Sequence, residues 1–369
     1  MIGTEESRPS DSAIHNAMAS SLLETGSFRN SEGYYTAIGP PGMPIFLVPV
    51  YGLFGYRLWA VIMINAILAA LILYLIYRIC ILMFNKKIAW LAVFLQLINM
   101  RFLYHVGSVN YYPLLIFLML LSFYFTIRLA NGDLSIVKYL TLGFIFGSLM
   151  LVRPVFAPFA GILLAYLVFK KKRLNYVLMT FLVSSLMVVS WIGRNYLRLG
   201  ILTFATYGAK TFGNGNNDAY KNISLFDTYY VPDPDKINEL ENSSTVEKEQ
   251  PQKMASDAEN KLSPEALWAL SGNESNRIWL KNNMRTYLKN VLWRIKGTLS
   301  PFTRDMSFRN KFLSTILWLL IIIPGLIGLF ILPDIQFKLL FSLSAFSTIV
   351  IVWFIMLDSY LHYQIQFQV

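Results

Sequence analysis

Apolar runs near 57–83, 88–104, 112–128, 137–152, 154–169 and 174–193 follow one another with short polar breaks, and two more stand near 312–332 and 337–357. A helix crossing a bilayer needs about 20 apolar residues, so the pattern predicts about eight spanning helices. In "LVRPVFAP" Pro154 is expected to end one helix and begin the next, because proline cannot continue a helix but suits its first turn. The runs sort the chain into four regions: a polar segment 1–56, transmembrane helices 57–193, a long polar segment 194–311 and C-terminal transmembrane helices 312–369.

The polar segments carry elements of their own. "DSAIHNAMASSLLETGSF" predicts an amphipathic helix with Asp11 as N-cap, Ile14, Ala17, Met18, Ser21 and Leu22 at helical spacing, and Gly26 as C-terminal stop. In "GPPGMPIFLVPVYGLFG" Pro40, Pro41, Gly42 and Pro44 predict a rigid turn. The apolar run behind it is too short to span and is expected to form an interfacial or re-entrant helix. "PEALWALSGNESNRIWLKNNMRTYLKNVLWRIKGTLSPF" predicts one or two amphipathic helices along the membrane surface.

Composition agrees with a membrane protein. The 369 residues are 55% hydrophobic with a mean hydropathy of +0.49. Only 14% are charged, against roughly 25% in soluble domains. The net charge of +11 sits largely in short loops and is no nucleic-acid signal. If the spans alternate, "NKK" at 85–87, Arg128, Lys138, "KKKR" at 170–173 and Lys338 share one face. The positive-inside rule makes that face cytoplasmic and puts 1–56 and 194–311 outside. An external first segment with no apolar run before it leads to the expectation that a preceding transmembrane helix is missing from this sequence. The lone Cys80 excludes a disulfide framework.

The chain then shows an ordered set of motifs. Asp11 opens a short helix ending in "LLETG", followed by "PPGMPIFL" and "LFG". "LMLVRPVFAPF" comes next, then "SWIGRNYLRLGILTFATYGAKTFGNGNNDAY" and finally "HYQIQF". In this order the set resembles bacterial membrane glycosyltransferases of the C-type (GT-C) fold, relatives of protein O-mannosyltransferases and aminoarabinose transferases. The resemblance implies an all-α polytopic membrane protein, a GT-C-like helical bundle whose extracytoplasmic loops form the catalytic cavity. It further implies transfer of a sugar from a polyprenyl-phosphate-linked donor to a glycan, lipid or protein acceptor. Such an enzyme would lie in the cytoplasmic (inner) membrane of a bacterium with its active site outside.

By the same resemblance an acidic residue in the first external loop acts as base, and the matching position is Asp11. From the residues alone Asp11 reads first as a helix cap, and the ordered motifs turn the reading toward the base. Polyprenyl phosphate needs cations at the external interface, and arginine supplies a planar fork suited to phosphate oxygens. Arg153, Arg194 and Arg198 are expected at external helix ends, where snorkelling anchors also sit. Lys210 and the "GNGNN" turn with Asn214, Asn216 and Asn217 can present amides and N–H groups to phosphate or sugar. The motif matches add Asn195, His362 and Tyr363 to the candidate carrier or substrate contacts. Two departures from the family stand out: Ser12 replaces a second acidic residue, and "SVNYYP" offers Asn110 and Tyr111 where many relatives are acidic. Asp11 without carboxylate neighbours is a poor hard-cation site, so no cofactor is assigned.

Three other readings share parts of this pattern: a polysaccharide polymerase or ligase, a lipid-linked-sugar flippase, and a catalytically degenerate assembly protein. Transporters keep ionisable groups inside their spans. Here the charges cluster at span ends.

Overall fold

A computed structural model describes residues 11–30, 33–132, 135–208, 212, 216 and 262–298, together with 316, 319 and 323. The helices are α1 (Asp11–Thr25), α2 (Gly42–Phe54), α3 (Leu58–Met83), α4 (Lys86–Leu97), α5 (Met100–Val106), α6 (Tyr112–Ala130), α7 (Ile136–Val152), α8 (Ala157–Phe169), α9 (Leu174–Leu199), α10 (Pro264–Asn282) and α11 (Met284–Thr298). Among the described residues there is no strand, only an isolated bridge between Arg29 and Tyr35. The protein is an all-α membrane protein: α3, α6 and α9 are long and apolar enough to cross a bilayer, while α2, α7 and α8 are shorter apolar helices. The expected spans 312–332 and 337–357 lie outside the described residues, apart from helical positions 316, 319 and 323.

The chain forms two compact units with a boundary between Asn195 and Tyr196. In the first, α3 packs on α4 and α6, α6 on α7 and α8, and α2 on α1, α3 and α7. Tyr139, Leu142, Phe146 and Leu149 of α7 are fully buried at the centre. Lipid tails are as apolar as leucine, so helix association in a bilayer depends on close packing and interhelical hydrogen bonds. Gly143 and Gly147 supply the closeness on α7. A Cβ at Gly143 would sit 2.7 Å from the Thr180 carbonyl oxygen, and one at Gly147 would meet the Met187 side chain. The Thr180 hydroxyl donates across the same contact to the Tyr139 carbonyl at 3.0 Å. On α9, Phe181, Leu182, Leu186 and Val189 are exposed, as a lipid-facing surface requires.

In the second unit, Ser263 Oγ caps α10 by accepting from Ala266 N at 3.1 Å. Glu265 in its first turn accepts from the buried Thr206 hydroxyl at 2.6 Å. Ser263 N donates to Leu199 O at 3.1 Å, which fastens α10 to the end of α9.

Three details depart from the sequence reading. The expected span 88–104 is two helices, α4 and α5, broken at Ile98 and Asn99, because the Asn99 side chain accepts from Phe102 N and starts a new helix. The helix expected to stop at 193 continues to Leu199, where Gly200 at φ +83° ends it. Arg194 and Arg198 therefore lie within its last turns. On α1, Ile14 and Met18 are buried as expected, but Ala17 is exposed while His15 and Ala19 are buried, so the packed face is rotated toward His15. The segment expected to hold one or two amphipathic helices holds two, α10 and α11, separated at Asn283.

Candidate active site

The site is built where α1, the α5–α6 connection and the α7–α8 turn meet within the first unit. Arg153 stands between α7 and Pro154 with φ −150° and ψ 105°. The ring of a following proline drives the preceding residue out of the helical region. That extended geometry takes Arg153 out of the helical path. Its guanidinium lies 4.2 Å from the Tyr111 ring centroid and donates to the Tyr111 hydroxyl. Cation–ring contacts of this kind contribute about 0.5–2 kcal/mol, more where water is excluded. Tyr111 is buried.

Tyr111 belongs to an aromatic column. It stacks on Tyr112 at 4.5 Å, and Tyr112 stacks on His105 at 4.3 Å. The buried His15 of α1 meets Tyr111 edge-on at 5.8 Å. Asn110 shapes the tight turn that permits the column: its side-chain carbonyl accepts from Tyr112 N at 2.9 Å, and its amide donates to His105 O at 3.2 Å. Asn65 of α3 holds the turn from below, donating to Ser108 O at 2.9 Å. The Ser12 hydroxyl donates to Val109 O and ties the first turn of α1 to the same connection.

The Pro-Pro-Gly stretch sets the height of Arg153. A Cβ at Gly42 would lie 2.5 Å from Val152 N and 2.7 Å from the Leu151 carbonyl carbon. Only glycine lets the start of α2 sit on the last turn of α7, directly before Arg153. Helix α1 is in turn fixed to α2 by the Tyr51 hydroxyl on Asn16 Oδ1 at 2.5 Å, and to the connection after α2 by the Tyr56 hydroxyl on Glu24 at 2.9 Å. Burial and the hydrogen bond to Glu24 push the Tyr56 hydroxyl pKa above its ordinary value.

Of the candidate residues, Arg153 and the start of α1 at Asp11 belong to this assembly. Arg194 stands apart from it: NH1 donates to Thr36 O at 2.8 Å and NH2 to Phe28 O at 3.0 Å. Asn195 is fully buried and its side-chain carbonyl accepts from Arg194 at 3.0 Å. Arg198 is exposed. Asn216, buried in the second unit, donates to Phe212 O at 3.0 Å and so braces its own turn. Lys210, Asn214, Asn217, His362 and Tyr363 lie outside the described residues. Among the described residues, no three His, Cys, Asp or Glu side chains converge as a metal-binding group. Sequence reading missed His15 and the Tyr111–Tyr112 pair. His15 falls one helical turn after Asp11, a spacing that puts both positions on one face of α1, and that was the available signal.

Comparison with known proteins agrees with this architecture. Residues 39–192, from the Pro-Pro-Gly turn to the last turns of α9, match the family model described as dolichyl-phosphate-mannose-protein mannosyltransferase. No curated protein and no solved structure matches the chain. Over that stretch, less than half of its length, the chain is similar to this mannosyltransferase family.

Proposed function

We propose that the protein transfers a sugar from a polyprenyl-phosphate-linked donor to an acceptor hydroxyl on the extracytoplasmic face of a bacterial cytoplasmic membrane. The supporting observation is the meeting of the α1 start, the 107–112 turn and Arg153 at one end of the helical bundle. Asp11 takes the acceptor proton as the acceptor oxygen bonds to the anomeric carbon. The bond from that carbon to the donor phosphate breaks, and the phosphate leaves on the polyprenyl chain. Arg153, with its fork of N–H donors, balances the charge that grows on that phosphate. The bilayer itself is a partner, because it presents the carrier at the depth of the helix ends.

Transfer from a synthetic polyprenyl-phosphate sugar in reconstituted vesicles tests this reading. Arg153→Ala is expected to raise the donor KM about tenfold or more, since charge-assisted hydrogen bonds are worth roughly 1.5–3 kcal/mol. Arg153→Lys should lose less, because it keeps the charge but not the fork. Unchanged donor KM in both variants would make Arg153 only a brace for Tyr111. The sidedness rests on the Lys and Arg bias of the loops. Cysteines placed at Ser27 and Lys171, in a chain with Cys80 replaced, should react with an impermeant reagent from opposite sides, Ser27 from outside. Labelling of Lys171→Cys from outside would invert the site and sink the extracytoplasmic assignment.

A further inference from the structure

We infer that Arg194 is a positioning residue which locks the loop 27–36, and through it α1, in register with Arg153. This rests on the reading that α1 carries the catalytic base. The paired-arginine motif at the end of α9 invites a phosphate-binding interpretation, but the guanidinium is turned toward the protein's own backbone. It donates to the carbonyls of Phe28 and Thr36 at 3.0 and 2.8 Å. Three rings surround it: Trp191 at 5.1 Å, Phe28 at 5.6 Å and Tyr35 at 5.7 Å from the guanidinium carbon. Phe28 and Trp191 also meet edge to face at 5.2 Å. A planar, weakly hydrated cation suits such an aromatic setting better than a lysine ammonium does.

The grip falls on the closing rung of the loop. Phe28 O accepts from Thr36 N at 3.0 Å as well as from Arg194, and the Arg29–Tyr35 bridge sits beside that rung. From there the loop is coupled to α1 at two places. Ser21 of α1 accepts from Arg29 N at 2.9 Å and donates to Ser27 O at 2.9 Å. The chain leaving the loop then passes under α1, where a Cβ at Gly39 would meet Ile14 at 3.3 Å. The other end of α1 is held by Ser12 on Val109. The helix is thus fastened at its C-terminal side by the loop that Arg194 holds and at its N-terminal side by the turn that carries Tyr111. Removing the first fastening leaves that side of α1 held only by its packing on α2 and the Tyr51–Asn16 and Tyr56–Glu24 bonds, and loosens its tilt relative to Arg153. A reacting pair misplaced by about 1 Å loses on the order of 10²-fold in rate.

Two measurements test this, one of which needs no activity. Hydrogen exchange on Arg194→Gln in vesicles should quicken about tenfold or more at amides within 21–36, with α6 and α7 unchanged. Arg194→Lys, which keeps the charge and reaches fewer carbonyls, should fall between the two, and serves in place of the Gln variant if that one does not insert. In the transfer assay Arg194→Gln should lower kcat at least about tenfold while donor KM stays within about twofold. Exchange at wild-type rates in both variants overturns the proposal. So does a raised donor KM with unchanged kcat, which would make Arg194 a phosphate contact. Wild-type protein that transfers from no lipid-linked sugar would sink the functional reading instead, and leave the exchange result to decide the clamp.

Discussion

Asp11→Asn is expected to lower turnover by a factor on the order of 10²–10⁴, the contribution of a positioned general base. Donor binding should be nearly unchanged. The substitution preserves size and hydrogen-bonding reach, and asparagine at a helix start is about as favourable as aspartate. Helix α1, whose first described residue is Asp11, should therefore keep its packing on α2 and its tie from Ser12 to Val109. What is lost is the ability to take a proton from the acceptor hydroxyl. Steady-state transfer, with kcat and donor KM determined separately, distinguishes the two roles. Wild-type turnover from the Asn variant would leave Asp11 as a helix terminus and move the search for the base to His15, the buried neighbour of Tyr111.

Gly42→Ala should also reduce turnover strongly, though it touches no reacting group. The added Cβ would stand 2.5 Å from Val152 N and 2.7 Å from both the Leu151 carbonyl carbon and Val152 Cγ2. Two of these are backbone atoms at the end of α7, so no side chain can rotate away to relieve the overlap. Helix α2 must lift from α7, or the last turn of α7 must move and carry Arg153 with it. Overpacking of this kind costs typically about 1–3 kcal/mol. The displacement of Arg153 adds a kinetic loss on the order of 10²-fold for about 1 Å. Gly161 in α8 is the control, because a Cβ there meets nothing within 4 Å. Alanine at Gly161 should be neutral or slightly stabilising, as expected for glycine replaced inside a helix. Thermal unfolding in detergent and turnover per folded molecule give both comparisons. If Gly42→Ala behaves like Gly161→Ala, the close approach of α2 to α7 does not set the site.

The residues that sequence reading handled well are those governed by local rules. Pro154 reset the chain between α7 and α8, and the three glycine-and-proline residues Pro40, Pro41 and Gly42 marked the entry to α2. Gly26, at φ +68° with its N–H on Leu22 O at 3.0 Å, ends α1 as its position suggested. Where the reading slipped, a neighbour in space had decided the outcome. Asn99 split one apolar run into α4 and α5 through its own cap. His15, polar and easily assigned to a solvated face, is buried on α1 because Tyr111 offers it a ring edge. Ala17 is small enough to face either way, and the packing on α2 left it outside.

Hydrophobic run length, proline and glycine placement, and the position of charges act within one or two helical turns, so the amino-acid sequence by itself determined that this is an all-helical membrane protein and where most of its helices lie. The order of its short motifs also carried its resemblance to membrane glycosyltransferases, which the family match repeats over residues 39–192. What Arg153 and Arg194 each hold was decided only by the tertiary structure. Both are arginines near helix ends; Pro154 takes Arg153 out of the helical path while Arg194 stays within α9, but nothing local names the partners of either. The partner of Arg153 comes from Tyr111, 42 positions away, and those of Arg194 from Phe28 and Thr36, 166 and 158 positions away. A guanidinium donates to carbonyl and phosphate oxygens alike and also stacks on rings, so its role follows from which of these the packed helices bring to it.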